Sequence, residues 1–213
     1  MITSFTTSRE NAAKTDATPT IRDSGKYVCT IIEADTYERH SDRGDFQLVR
    51  LMLESTPDKQ RATVEFIVSG GKSDWSKNCF DALCVCAGAE NPVFSQANIK
   101  AHRRGIFDQE TTPGFRSRTL EGKKVGVVLQ KVIRDYRGND GQMHESYDMQ
   151  VYKSFNADTE LTASEIVAGA TEPKKLARAV ASLKDRDLRT AQQTPAPAAS
   201  AAGMEAADYN PFN

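Results

Sequence analysis

Val125-Gly126-Val127-Val128-Leu129-Gln130-Lys131-Val132-Ile133 leads through Arg134-Asp135-Tyr136 into Arg137-Gly138-Asn139-Asp140-Gly141, and Glu145 to Phe155 follows. The first run is rich in β-branched residues and has the length of a strand. The Gly, Asn and Asp residues after it accept the backbone angles of a tight reversal, so they read as a hairpin turn. Glu145 to Phe155 is then the returning strand, with Val125, Val127 and Leu129 pointing inward on the first. A chain organised around such a hairpin is mainly β.

Toward the N-terminus, Gly25 opens a strand over 26–34, and Tyr37 to Asp45 reads as a charged loop. A second strand over 46–54 puts Val49, Leu51 and Leu53 on one face and Phe46, Leu48, Arg50 and Met52 on the other. Thr56-Pro57-Asp58 turns into a third strand, Ala62 to Val68, with Val64, Phe66 and Val68 on one side. Gly70-Gly71 closes it. Ser73 or Asp74 can cap a helix whose apolar side carries Trp75, Cys79, Leu83 and Cys86, with Trp75 expected in the core and Gly88 as the stop. Asn91 to Thr119 reads as a long irregular basic loop, the kind that is usually functional or disordered. Beyond the hairpin, Thr162-Ala163-Ser164-Glu165 has the form of a capping box. Thr171-Glu172-Pro173 starts a helix with a stripe of Leu176, Val180 and Leu183.

Three strands, a helix, a loop and two strands is the element order of the OB-fold, a small Greek-key barrel. The expected architecture is a mainly β, OB-fold-like five-stranded barrel with a helix between strands three and four, plus a C-terminal helix and a disordered tail. Residues 1–22 are read as a flexible N-terminus, 23–158 as the β domain, 159–189 as a helical extension and 190–213 as linker and tail. The Pro/Ala composition after Thr190 cannot build a core.

The 28 Lys and Arg nearly balance the 29 Asp and Glu, for a net charge of −1. The distribution is uneven. Residues 100–137 carry 10 basic against 4 acidic residues, whereas 1–99 carry 11 against 14 and 138–189 carry 7 against 9. The last 24 residues contain only Glu205 and Asp208 as charged side chains. No run approaches the ~18 apolar residues of a membrane span, and Met1 to Thr20 lacks the apolar stretch of a secretory signal. Cys29, Cys79, Cys84 and Cys86 lack paired zinc-knuckle spacing and a nearby His, so they read as reduced, buried thiols rather than a metal site. No cofactor or metal is expected.

The opening Gly25-Lys26-Tyr27 strand, Leu120-x-Gly122-Lys123 before the fourth strand, and the Tyr136/Gly138 hairpin running to Tyr147 carry a resemblance. Over about residues 24–155 the sequence resembles a phage early-protein family long catalogued as a domain of unknown function and related to phage single-stranded-DNA-binding proteins. The end of the chain is similar to the tail of bacterial single-stranded-DNA-binding proteins: a Pro/Ala linker, then Asp208, Tyr209, Pro211 and Phe212. It departs from that tail in having two acidic residues and in placing Asn213 after Phe212. The resemblance implies sequence-nonspecific binding and protection of single-stranded DNA in phage replication and recombination, in the bacterial host cytoplasm. Tail residues Asp208, Tyr209, Pro211 and Phe212 would recruit replication or recombination proteins. A homo-oligomer is possible and no membrane is involved.

Nonspecific single-strand binding needs cations along the backbone and flat side chains on which bases stack. The candidates are Phe46 and Arg50 on the exposed face of the second strand, Arg103, Arg104, Arg116 and Arg118 in the basic loop, and Lys131, Arg134, Tyr136 and Arg137 on the hairpin. Phe107 and Phe115 either stack on bases or pin the loop. No catalytic residue is assigned, because none of the three His has a partner arrangement for nucleophilic or general-base work. The rival enzyme is a metal-dependent nuclease using Glu121, Lys123 and Asp108. The rival binding protein is a recombination mediator or protein-interaction adaptor.

Overall fold

The computed structural model describes residues 19–41, 44–71, 74–103, 106–138 and 140–189; for residues 41, 101–103 and 106–110 it describes the backbone alone. Strands β1 (Gly25–Ser41), β2 (Gly44–Ser55) and β3 (Arg61–Ser69) form an antiparallel meander. The stretch Tyr37 to Asp45, expected as a loop, instead continues both strands, with Ser41 opposite Gly44. After helix α1 (Trp75–Cys86), strands β4 (Ser95–Arg103) and β5 (Ile106–Arg116) form a second hairpin. This corrects the long irregular loop. Charged and polar residues alternate there with few apolar ones, so the strand signal is weak, and the ladder between the two strands supplies what periodicity did not. Then come β6 (Lys124–Arg137) and β7 (Met143–Phe155), paired from Gly126 opposite Phe155 to Arg137 opposite Met143. Helices α2 (Ala163–Val167) and α3 (Lys175–Ala181) and the short strand β8 (Arg186–Asp187) complete the order.

Among the described residues this is one eight-stranded sheet, antiparallel except for the β6–β8 pair, and it is not closed into a barrel. β1 organises it. One edge pairs with β2 from Cys29 to Ser41; the other pairs with β6 over Gly25–Thr30 and then with β5 at Asp35 and Thr36. A register shift between Ile31 and Glu33 separates the two halves. A bulge bends its strand, which lets one strand serve neighbours in different directions.

The curved inner face holds the main core: Ile31, Val49, Leu51, Leu53, Val64, Phe66, Val125, Val127 and Leu129, with Phe80, Leu83, Cys84 and Cys86 of α1 packed on it. Ile21 belongs to it too, fully buried, so packing begins inside the segment read as flexible. Cys29, Cys84 and Cys86 are buried, and burial pushes each thiol up to about 12. Trp75, expected inside, is 43% exposed. It is the first residue of the helix, and buried Cys86, on the same side, lies about three turns farther along it. Asp74 is the N-cap by position but makes no side-chain cap bond.

The outer face carries a smaller cluster, Val128, Phe155 and Leu176, with Val28, Tyr152 and Leu183 against it. Gly126 makes room for it: a Cβ there would lie 2.1 Å from the Phe155 ring. Of the expected α3 stripe, Leu176 is buried but Val180 is 37% exposed. The capping box of α2 is present, with Glu165 accepting from the Thr162 N–H at 2.9 Å and its hydroxyl at 2.7 Å. The same carboxylate takes the Lys174 and Lys175 N–H groups at 2.7 and 2.9 Å. Burial works to raise its pKa, yet these bonds hold it down at about 2. Among the described residues no helix is long and apolar enough to cross a membrane.

Candidate nucleic-acid interface

Residues directly opposed in a ladder share a face. Glu65 faces Arg50, Arg50 faces Asp35, and Asp35 faces Arg116, so four adjacent strands carry one row of charges of alternating sign. Asp35 is 1% exposed and accepts from Arg116 Nε at 2.7 Å, Arg116 Nη2 at 3.1 Å and Arg50 Nη2 at 3.3 Å. Arg50 also donates to the Lys100 carbonyl at 3.0 Å and lies over the Tyr37 ring, 5.4 Å from its centroid. At the upper end of the row Glu65 accepts from the Tyr37 hydroxyl at 2.6 Å and from Arg39 at 3.1 Å. Burial first, then the Glu65 bond, push the Tyr37 hydroxyl up to about 12.

This row corrects the reading of strand two as an exposed binding face. Arg50 is 4% exposed, and Leu48 and Met52 beside it are buried as well. A cation there is consumed by carboxylates of its own chain. Arg116 is likewise spent on Asp35, with Glu121 3.5 Å away, and exposed Arg118 pairs with Glu121 at 2.7 Å. Lys100 pairs with Glu33 at 3.1 Å. Two of the ten basic residues of 100–137, Lys100 and Arg116, therefore fasten the β4–β5 hairpin to β1. Phe46 is half-buried at the end of the sheet, opposite Arg39. Arg103 lies on β4 with its side chain outside the described residues, as are the side chains of Phe107 and Asp108; Arg104 is outside them altogether. The tail positions Asp208, Tyr209, Pro211 and Phe212 are outside them too.

The distal β6–β7 hairpin differs. Tyr136 is 47% exposed and stacks on His144, directly opposite it, with centroids 5.5 Å apart and planes 29° from parallel. Arg134 shares that face. Its nearest carboxylate, Asp148, is 3.8 Å from Nε, which is buried and makes no hydrogen bond among the described residues. Arg137 is exposed and gives its Nε–H to the Gly141 carbonyl at 3.2 Å. Lys131 lies over the Tyr147 ring at 4.9 Å. Among the described residues no carboxylate forms an ion pair with Lys131 or Arg137. Exposed Met143 ends the same ladder.

Sequence reading missed His144 and Asp140, which the turn brings together: His144 Nε2 lies 3.0 and 2.9 Å from the two Asp140 oxygens. A second pair, His40 with Asp45 at 2.7 Å, closes the β1–β2 tip, and that bond raises the His40 pKa. Both histidines thus do have carboxylate partners; the signal was their spacing of four or five residues around a turn. Also missed was a cavity of about 380 Å³ at the open end of the inner face, walled by Thr36, Val49, Val68, Phe80, Phe94 and Phe115. Phe115 lines it while remaining 46% exposed. Glu121, the candidate metal-binding carboxylate, is occupied by Arg118. Compared with protein-family models, curated proteins and solved structures, the chain matches none of them.

Proposed function

We propose that the chain binds single-stranded DNA without sequence preference along the distal β6–β7 hairpin. The observation that carries the reading is the exposed Tyr136 ring, stacked on His144, with Arg134 on the same face and exposed Arg137 next to it at the end of β6. A fixed aromatic face takes any base, and neighbouring cations take the phosphates on either side. The architecture supports it. A β1–β2–β3 meander, α1, then β6 antiparallel to β1 and hairpinned to β7 has the order of an OB-fold-like barrel. In this reading β4–β5 is an insertion and the ladder between β3 and β7 is missing.

The protein acts by coating, without cleavage, in phage replication or recombination in the host cytoplasm. The acidic tail with Asp208, Tyr209, Pro211 and Phe212 recruits partner proteins. The test is fluorescence anisotropy with labelled oligo(dT), a mixed-sequence strand and the matching duplex, with and without magnesium. Comparable affinity for both single strands and much weaker binding of duplex is expected. Equal affinity for duplex and single strand overturns the reading; so does magnesium-dependent cleavage abolished by Glu121→Ala.

A further inference from the structure

The hairpin tip holds more than an aromatic shelf. Asp140 accepts from the Gln142 N–H at 3.0 Å, so the carboxylate that shapes the turn also holds the His144 ring. Gly138 lies beneath the pair: a Cβ there would come within 2.6 Å of Asp140 Oδ1 and 2.6 Å of His144 Cδ2. The backbone at Gly138 is thus shaped around the Asp140–His144 contact. The His144 bond, then the Gln142 N–H, hold the Asp140 carboxyl below its ordinary value, so it stays ionised at neutral pH.

An ionised carboxylate only accepts hydrogen bonds, which assigns the proton of neutral His144 to Nε2. Neutral His144 therefore presents a lone pair at Nδ1, and among the described residues nothing bonds that nitrogen. A lone pair repels a phosphate oxygen. A second proton turns Nδ1 into a charged donor, the group a phosphate takes best. On the same face, Arg134 has an Nε without a hydrogen bond, Asp148 lies beside it, and Tyr136 covers one side of the imidazole. On the opposite face are Asp135, Arg137 and Glu145, the last paired with Arg189 at 2.6 Å.

We infer that the hairpin tip is a binding site for one nucleotide unit, in which Tyr136 stacks the base and protonated His144, with Arg134, takes the adjoining phosphate. The inference rests on the proposed single-strand reading. Its consequence is that binding tightens as pH falls, and the gain belongs to His144.

The experiment measures oligo(dT) affinity at pH 8 and pH 5.5 across a range of salt, for the intact chain, His144→Gln, His144→Arg and His40→Gln. Thymine does not titrate in this interval, so any change comes from the protein. The intact chain should bind about five- to tenfold more tightly at pH 5.5, with a salt slope steeper by about 0.7, the value of one phosphate contact on a single strand. His40→Gln should keep that response. His144→Gln should lose it and bind at both pH values as the intact chain does at pH 8. His144→Arg should bind tightly at both. A pH response retained in His144→Gln, or none in a chain that still binds, overturns the inference; no binding at either pH overturns the single-strand reading instead.

Discussion

The charge row Glu65–Arg50–Asp35–Arg116 and the β6–β7 tip contain the same residue types and use them in opposite ways. In the row each arginine meets carboxylates at hydrogen-bond distance, in a place where Asp35 is 1% and Arg50 4% exposed. At the tip Arg137 is exposed, half-buried Arg134 has its nearest carboxylate, Asp148, 3.8 Å away, and the Asp140 carboxylate is given to a histidine. Buried charges need partners or they cost heavily; exposed ones cost little to leave for a ligand. The comparison teaches that a basic segment leaves cations open to a ligand only where the fold withholds its own acids.

The largest expected effect lies in the row. Asp35→Ala leaves Arg50 buried without its carboxylate and should cost about 3–5 kcal/mol in denaturant unfolding. Arg137→Ala, at an exposed position of the tip, should shift the same curve by under about 0.5 kcal/mol, as surface changes do. Equal losses from both would erase the distinction between the two regions.

Binding should sort the other way. Tyr136→Ala should weaken oligo(dT) binding by about 1–3 kcal/mol, the worth of one stacked base, with melting and salt slope nearly unchanged. If its salt slope changes as much as that of an arginine variant, Tyr136 is not acting as a stacking surface.

Acid separates framework from tip as well. Glu165 has its folded pKa lowered to about 2 from an ordinary 4.5. Its contribution is therefore present above pH 4.5 and is lost as pH falls toward 2. Thermal melts of Glu165→Gln against the intact chain should differ most at neutral pH and converge below that window. A difference that persists unchanged at pH 2 would show that the carboxylate's ionisation is not what holds α2 to α3.

The smallest effect is the sharpest. Replacing Arg134 and Arg137 together by Ala should flatten the salt dependence by roughly 0.7 per lost phosphate contact. Arg116→Gln should leave that slope as it was, since its guanidinium belongs to Asp35.

What the sequence by itself determined is local. The turn at Gly138 to Gly141, the alternation of Val49, Leu51 and Leu53, the capping box at Thr162 and Glu165, and the burial of Cys84 and Cys86, though not of half-buried Cys79, were legible because each depends on residues close along the chain. The position of Tyr136 and Arg137 at the exposed end of the β6–β7 hairpin was legible for the same reason. What only the tertiary structure decided is pairing across distance. Whether Arg50 faces water or Asp35 depends on the register of β1 against β2, whether 95–116 is a loop or a hairpin on the β4–β5 ladder, and whether the sheet closes on pairing between β3 and β7. A one-residue slip in that register would turn every side chain to the other face, so no count of charges along the chain can tell a spent arginine from an available one.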